Sequence, residues 1–180
     1  MQFNKISKYI FTIDNFMTAE ECQQWIEFCE SKGFEAAGLT QGTRQVINKS
    51  IRNNQRLFYD SLELAETLWQ RTQPYLPELE DIKGVGLNER FRFYKYFPGH
   101  QFKMHQDGRF RRNAKEWSVF TFMVYLNEDM LGGETKFLDY VIKPETGKAL
   151  IFRHELAHEG SMVYKGVKYV LRSDVMFSRK

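Results

Sequence analysis

Histidine is scarce in this chain: 180 residues hold only 4, at positions 100, 105, 154 and 158. Any chemistry that needs an imidazole is confined to two short stretches. Cysteine is scarcer still. Cys22 and Cys29 lie about two turns apart in what reads as one helix, on a shared face but beyond disulfide reach. That pattern excludes a disulfide framework and reads as two thiols in a reducing compartment. No apolar run approaches the roughly 20 residues of a membrane-spanning helix, and no signal peptide opens the chain. The expectation is a soluble, cytoplasmic protein with no membrane partner. A strong charge of one sign is also missing. The formal net charge is +3, too small by itself to declare a nucleic-acid partner. Nor is there a repeat, a linker or a low-complexity segment, so the length predicts one domain with a real core.

What the chain has is aromatic bulk: 16 Phe, 9 Tyr and 3 Trp, or 16% of residues. Such content suits sheets with large inward side chains. Tyr9 to Ile13 reads as a strand ended by Asp14-Asn15. Thr18 and Glu21 have capping-box spacing, which predicts a helix from about Ala19 to a stop at Gly33. A second helix is predicted over Ser61 to Thr72, with Leu62, Ala65, Leu68 and Trp69 on one side and Pro74 and Pro77 ending it. Between them, Gly38 to Asn54 is polar and without firm period, a loop with one or two short strands, free to form a cavity rim.

After Gly86 strand-like runs follow one another: Arg90 to Phe97, Ser118 to Leu126, Glu134 to Leu138, Lys148 to Phe152, Gly160 to Tyr164 and Lys168 to Phe177. Turn residues such as Pro98-Gly99, Gly132-Gly133, Pro144 with Gly147, and Gly166 separate them. Helices first, then short strands, with no strand–helix alternation, predict a mainly β, α+β fold. Its core is a double-stranded β-helix, or jelly roll, flanked by helices. The division expected is helical support over 1–85 and a jelly-roll core over 86–178, within a single domain spanning 1–180.

One stretch carries the chemistry, His105-Gln106-Asp107. In an extended segment, residues two apart project to the same side, so an imidazole and a carboxylate can grip one ion. That is two-thirds of the facial triad that leaves open positions on iron(II). The third ligand must come from His154 or His158. Alone, H-x-D is a weak motif. Its surroundings strengthen it: a Tyr-containing strand, Pro98-Gly99, then Val124-Tyr-Leu-Asn127, Gly132-Gly-Glu-Thr135, Pro144-x-x-Gly-Lys-Ala-Leu-Ile-Phe152, and His158 with Gly166-Val-Lys168.

In that order, from about Arg90 to Phe177, the chain resembles the iron(II)- and 2-oxoglutarate-dependent dioxygenases, in their prolyl 4-hydroxylase-like branch. The resemblance implies that His105, Asp107 and His158 hold Fe(II). His154 is the competitor for the third place, but His158 has the better distance to the following Gly-x-Lys; His154 and His100 are expected to be satisfied structural residues. Lys168, ten positions after His158, matches the lysine that takes the distal carboxylate of 2-oxoglutarate, which would be costly to bury without a cation. Arg172 lies on the same strand face roughly 13 Å further on, so it serves the cosubstrate only in place of Lys168; otherwise it pairs with Asp174 or meets a substrate. Tyr96, Tyr125 and Thr135 correspond to residues lining the cosubstrate pocket. Alternation supports them: Arg92, Tyr94 and Tyr96 share one face against Phe91, Phe93 and Phe97, and Thr121, Met123 and Tyr125 oppose Phe120, Phe122 and Val124.

In related halogenases a small residue stands where Asp107 is, so the carboxylate implies hydroxylation, or demethylation through hydroxylation. The implied cosubstrates are 2-oxoglutarate and O2, with succinate and CO2 released and ascorbate as reductant. The implied substrate is a peptide, protein or small molecule, a prolyl or other amino-acid side chain first. Two alternatives stand beside this: oxidation of a nucleic acid or small metabolite, and a cupin-like metal- or ligand-binding module without turnover. Arg109, Arg111, Arg112 and Lys115 directly after Asp107 are either a solvated loop or a lid for an acidic substrate, and Arg52 to Arg56 is a candidate rim.

Overall fold

Two-residue alternation in three central strands sets the layering. In Glu116–Tyr125, Phe120, Phe122 and Val124 point one way and Thr121, Met123 and Tyr125 the other. Arg90–Tyr96 and Lys168–Arg179 repeat the pattern on either side of the same plane. Phe91, Phe93, Phe120, Phe122, Val124 and Leu171 join Cys22, Cys29, Ala65 and Leu68 in one buried cluster between sheet and helices. On the opposite face Tyr94, Tyr96, Tyr125 and Val170 form a second cluster with Phe137 and Val163 from the facing strands. One side of the sheet holds the helices. The other holds the polar chemistry.

This computed structural model describes the chain except residues 42 and 43, and the side chains outside 40–45. The main sheet has nine strands, in the order Gln2–Ser7, Ile10–Asp14, Ala149–Arg153, Glu116–Tyr125, Lys168–Arg179, Arg90–Tyr96, Gln55–Asp60 and Glu35–Ala36, with Ile82–Leu87 paired to the far half of Lys168–Arg179. Facing it is a four-stranded sheet, Val141–Ile142, Thr135–Phe137, His158–Gly160 and Phe102–His105. Two short ribbons pair Leu131–Gly132 with Val163–Lys165 and Leu39–Gln41 with Arg44–Val46. All pairings among the described strands are antiparallel. The fold is mainly β: a double-stranded β-helix with helices against one sheet.

Helix α1 (Ala19–Lys32) starts where its residues say it should. Thr18 accepts from the Glu21 backbone N–H while the Glu21 carboxylate accepts from the Thr18 backbone N–H, a complete capping box. It stops at Gly33, whose φ of 81° is open to glycine and whose N–H donates to the Cys29 carbonyl at 3.0 Å. Its thiols are free and buried, and burial raises Cys22 to about 11 and Cys29 to about 12. Helix α2 (Leu62–Thr72) is capped by Ser61 and buries Ala65, Leu68 and Thr72. The turn before α1 is tied to the Pro144–Gly147 turn, because Gly147 O accepts from both Phe16 N and Met17 N. A Cβ at Gly147 would meet Met17 O at 2.0 Å, so the approach requires glycine.

Two departures from the sequence expectations concern the strands. Gly160 to Tyr164 is not one strand. The chain leaves the four-stranded sheet after Gly160, and Ser161 N donates to Glu134 O and Val163 N to His100 O as it crosses to another ribbon. Nor do helices precede strands. Gln2–Ser7, Gln55–Asp60 and Ile82–Leu87 all belong to the main sheet. They lie at or near its margins, where one face stays wet, so their text is too polar to read as core strand. Of the stretch expected as a rim, residues 42 and 43 lie outside the described residues. Among the described residues no helix is long and apolar enough to cross a membrane.

Phe122 is fully buried between sheet and α1, edge-on to Phe16 at 5.4 Å. Phe122→Ala is expected to lower unfolding free energy by about 3–5 kcal/mol. Denaturant unfolding followed by circular dichroism reads this directly, and a loss under about 1 kcal/mol would contradict the packing described.

Candidate metal centre

His105 closes the strand Phe102–His105, and His158 opens the neighbouring strand His158–Gly160 directly opposite it. Residues facing each other across an antiparallel pair project to the same side, and the two rings sit 4.3 Å apart between centroids. Asp107 follows two residues on, held by its N–H donating to His154 O at 3.1 Å. His158 Nε2 lies 3.7 Å from one Asp107 oxygen and His105 Nε2 lies 3.9 Å from the other. One donor atom from each of the three residues falls within 4.8 Å of the others.

The backbone decides which ring nitrogen is free. Nδ1 of His105 faces Lys103 O at 2.7 Å, and Nδ1 of His158 faces Leu156 O at 2.9 Å. A carbonyl only accepts, so each Nδ1 carries the proton and each Nε2 presents a lone pair inward. Burial, then the neighbouring His158, pull His105 down to about 4, and burial lowers His158 too. Both rings are neutral near pH 7. Two neutral imidazoles and one carboxylate are the donor set that suits a divalent iron with open positions.

Asp107 is the third donor and the most constrained. Burial alone would raise its carboxyl, but Arg172, His158, the Thr121 hydroxyl and His105 together hold it well below the carboxylate range. The Thr121 hydroxyl donates to Oδ2 at 2.5 Å, and Arg172 Nη2 stands 3.1 Å from the same oxygen. Arg172 Nη2 is also 3.2 Å from Asp174 Oδ1, and Arg92 Nη1 is 3.2 Å from Asp174 Oδ2. Charges therefore alternate from Arg92 through Asp174 and Arg172 to Asp107. Strand register builds this row, since Arg172 lies opposite Arg92 and Asp174 opposite Thr121.

His154 stands one layer behind. Its Nδ1 is 3.0 Å from Thr121 Oγ1 and its Nε2 2.8 Å from Ser118 Oγ, so neither nitrogen is free for a metal. His100 is less settled than expected. It packs against Phe97, and its Nδ1 is buried without a hydrogen-bond partner among the described residues.

A second group gathers at the other end of the same sheet face. Lys168 lies opposite Tyr96, with Nζ donating to Gly133 O at 2.6 Å and lying 5.1 Å and 5.4 Å from the Tyr96 and Tyr125 ring centroids. The Tyr125 hydroxyl donates to Thr135 Oγ1 at 2.7 Å. Lys168 is buried with no carboxylate at ion-pair distance among the described residues, and burial pulls it down to about 7. Burial raises Tyr96 to about 12 and lifts Tyr125 as well. Lys168, Tyr96, Tyr125 and Thr135 thus converge, while Arg172 sits with Asp107.

Among the basic residues after Asp107, Arg112 pairs with Glu89 and Glu116, and Arg109 with Glu155. Arg52 is more than rim. It is buried, its guanidinium lying 4.5 Å from the Tyr94 ring and 4.4 Å from the Phe102 ring. Sequence reasoning left Thr121, Arg92 and Asp174 without roles at the metal position. The signal for the last was legible: a charged residue alternating with Arg172 inside an apolar strand must be paired.

Comparison with known proteins agrees with this geometry. The model of the 2OG-Fe(II) oxygenase superfamily matches residues 91–173. A protein of Acanthamoeba polyphaga mimivirus named "Putative prolyl 4-hydroxylase" is 26% identical over 187 residues, covering 89% of this chain and 71% of the relative. Among solved structures, the viral collagen prolyl hydroxylase of Paramecium bursaria Chlorella virus-1, in its 2OG complex, superposes with a TM-score of 0.67 at 23% identity, over 94% of this chain and 97% of that one. A Trichoplax adhaerens prolyl hydroxylase in complex with a hypoxia inducible factor peptide fragment gives 0.69 at 18% identity, over 94% and 84%. At these identities the two structures speak for the fold.

The two histidines near Leu156 separate cleanly by experiment. His158→Ala is expected to abolish Mn(II) binding, and His154→Ala to retain it with at most about a 10–100-fold loss, as for groups that orient a ligand. Titration followed by electron paramagnetic resonance reads both, and the reverse order would remove His158 from the donor set.

Proposed function

We propose, from the premise that this chain belongs to the 2OG-Fe(II) oxygenase superfamily in its prolyl 4-hydroxylase-like branch, that it hydroxylates a C–H bond of a prolyl or other amino-acid side chain. The family uses Fe(II), 2-oxoglutarate and O2. In this reading His105, Asp107 and His158 hold the iron, and residues 1–85 and 86–178 work as one catalytic domain. The observation that carries it is the convergence of two bare Nε2 lone pairs and one fixed carboxylate within 4.8 Å, facing a main sheet that carries a buried ammonium with no carboxylate at ion-pair distance among the described residues.

Bound iron would supply oxidation of the C–H bond, coupled to conversion of 2-oxoglutarate into succinate and CO2. The protein's own residues bind, orient and exclude water. Lys168 Nζ takes the distal carboxylate of 2-oxoglutarate, exchanging a lone carbonyl contact for a charge pair in a dry site. Tyr96 and Thr135 offer hydroxyls along the way, and Tyr125, tied to Thr135, fixes where that hydroxyl points. Thr121 and Arg172 occupy Asp107 Oδ2 and leave Oδ1 to the ion. Arg172 is thereby assigned to Asp107 rather than to the cosubstrate. The aromatic wall of Phe137 and Phe152 around His158 keeps water out.

The test is succinate formation by protein supplied with Fe(II), 2-oxoglutarate and ascorbate, across pools of peptides, nucleotides and small metabolites. Gain of one oxygen atom on a peptide supports the reading. Product only in the nucleotide pool would move the substrate to nucleic acid, and metal binding with no succinate in any pool would leave a binding module.

Lys168 gives this reading a pH signature. Its pKa lies near 7, so the ammonium is charged below that pH and neutral above it. Affinity of the metal-loaded protein for 2-oxoglutarate is expected to be highest below pH 7 and to fall by up to about tenfold per unit above it. Lys168→Ala should flatten that dependence and weaken binding roughly 10–100-fold. Unchanged affinity in the variant would return the role to Arg172.

A further inference from the structure

Arg52 is an unusual cation. It is 7% exposed, and its Nε donates to Asn54 Oδ1 at 2.7 Å, but its Nη2 is buried with no partner among the described residues. Among the described residues no carboxylate lies at ion-pair distance from it, whereas nearby Arg56 is paired with Glu35. Its guanidinium is clamped between the Tyr94 and Phe102 rings, and Phe102 stacks on His105 with centroids 3.4 Å apart. One ring separates Arg52 from a proposed iron ligand.

The positive charge there is in excess. Burial pushes the Tyr94 phenol up, yet Arg52, Arg172 and Arg92 more than offset it and leave it below its ordinary value. Against these three arginines stand two carboxylates, Asp107 and Asp174, and both are taken by Arg172 and Arg92. The charge left over is that of Arg52. Arg172 is committed to this row: its contacts with Asp107, Asp174 and Thr121 run through Nη2.

A buried guanidinium nitrogen with neither anion nor hydrogen bond is costly unless a ligand completes it. Resting on the proposed function, and narrowing its substrate class, we propose that the substrate carries a free carboxylate bound by Arg52. The substrate is then an amino acid, or the last residue of a peptide, rather than a residue inside a chain. A single surplus charge matches a carboxylate better than a doubly charged phosphate monoester, and a planar guanidinium matches its two oxygens. Lys168 is reserved for 2-oxoglutarate at the other end of the face, so the two carboxylates do not compete.

The experiment uses the full chain loaded with Mn(II), a redox-inert stand-in for Fe(II). Binding of 2-oxoglutarate is measured first, by thermal stabilisation; its failure would sink the reading of the site itself and leaves the narrower proposal without a basis. N-acetyl amino acids are then compared with their primary amides on the 2-oxoglutarate-loaded protein. The expected result is that at least one acid binds 10-fold or more tightly than its amide, and that Arg52→Gln brings the two within about twofold while Arg52→Lys restores part of the difference. Acids and amides binding alike to the unaltered protein, or no acid binding at all, overturns the proposal whatever Arg52→Gln does to folding. So does an Arg52→Gln variant whose binding of 2-oxoglutarate falls as far as its binding of the acid, because Arg52 would then serve the cosubstrate.

Discussion

A buried carboxylate cannot stay charged on its own, and the placement of Asp107 is the constraint around which this molecule is arranged. Thr121 and Arg172 hold one of its oxygens, two neutral imidazoles flank it, and Asp174 and Arg92 in turn steady Arg172. These partners come from five strands of two sheets, so the anion is stabilised only once both sheets have formed. Removing Arg172 would leave Asp107 buried without its arginine, which costs more than the pair itself contributes. The chemistry and the stability of the sheet interior are therefore coupled at this residue.

The same sheet serves two purposes without mixing them. Residues at alternate positions of Glu116–Tyr125 and Arg90–Tyr96 go to different layers, Phe to the helices and Thr or Tyr to the side facing the second sheet. The helical side is packed with apolar groups and capped helices, and supplies rigidity. The opposite side carries the buried cations and phenols. A frame that is stiff on one face can hold strained electrostatics on the other, and backbone carbonyls of Lys103 and Leu156 fix the imidazole tautomers from within that frame.

Much of this was legible in the residues themselves. The capping box at Thr18 and Glu21, the alternation along the core strands and the H-x-D pair act through neighbours in sequence, and local chemistry suffices to place them. Gly160 to Tyr164 misled because the crossing between sheets at Ser161 is set by Glu134 and His100, neither of which is nearby in sequence. Gln55–Asp60 was missed because a strand near a sheet margin needs only one apolar face. Arg52 looked like an ordinary polar residue, and nothing local says that Phe102 and Tyr94 will close over it.

The sequence by itself determined which chemical groups were on hand: four histidines, one H-x-D pair, an aromatic-rich set of alternating strands, and Lys168 and Arg172 spaced along one strand face. Periodicity and capping act over a few residues, so order along the chain is enough to specify them. Tertiary structure decided which of those groups meet. It set His158 opposite His105, turned His154 inward to two hydroxyls, gave Arg172 to Asp107, and left Arg52 Nη2 without a partner among the described residues. Those outcomes depend on strand register and on burial, and both arise only when segments far apart in the chain pack against each other.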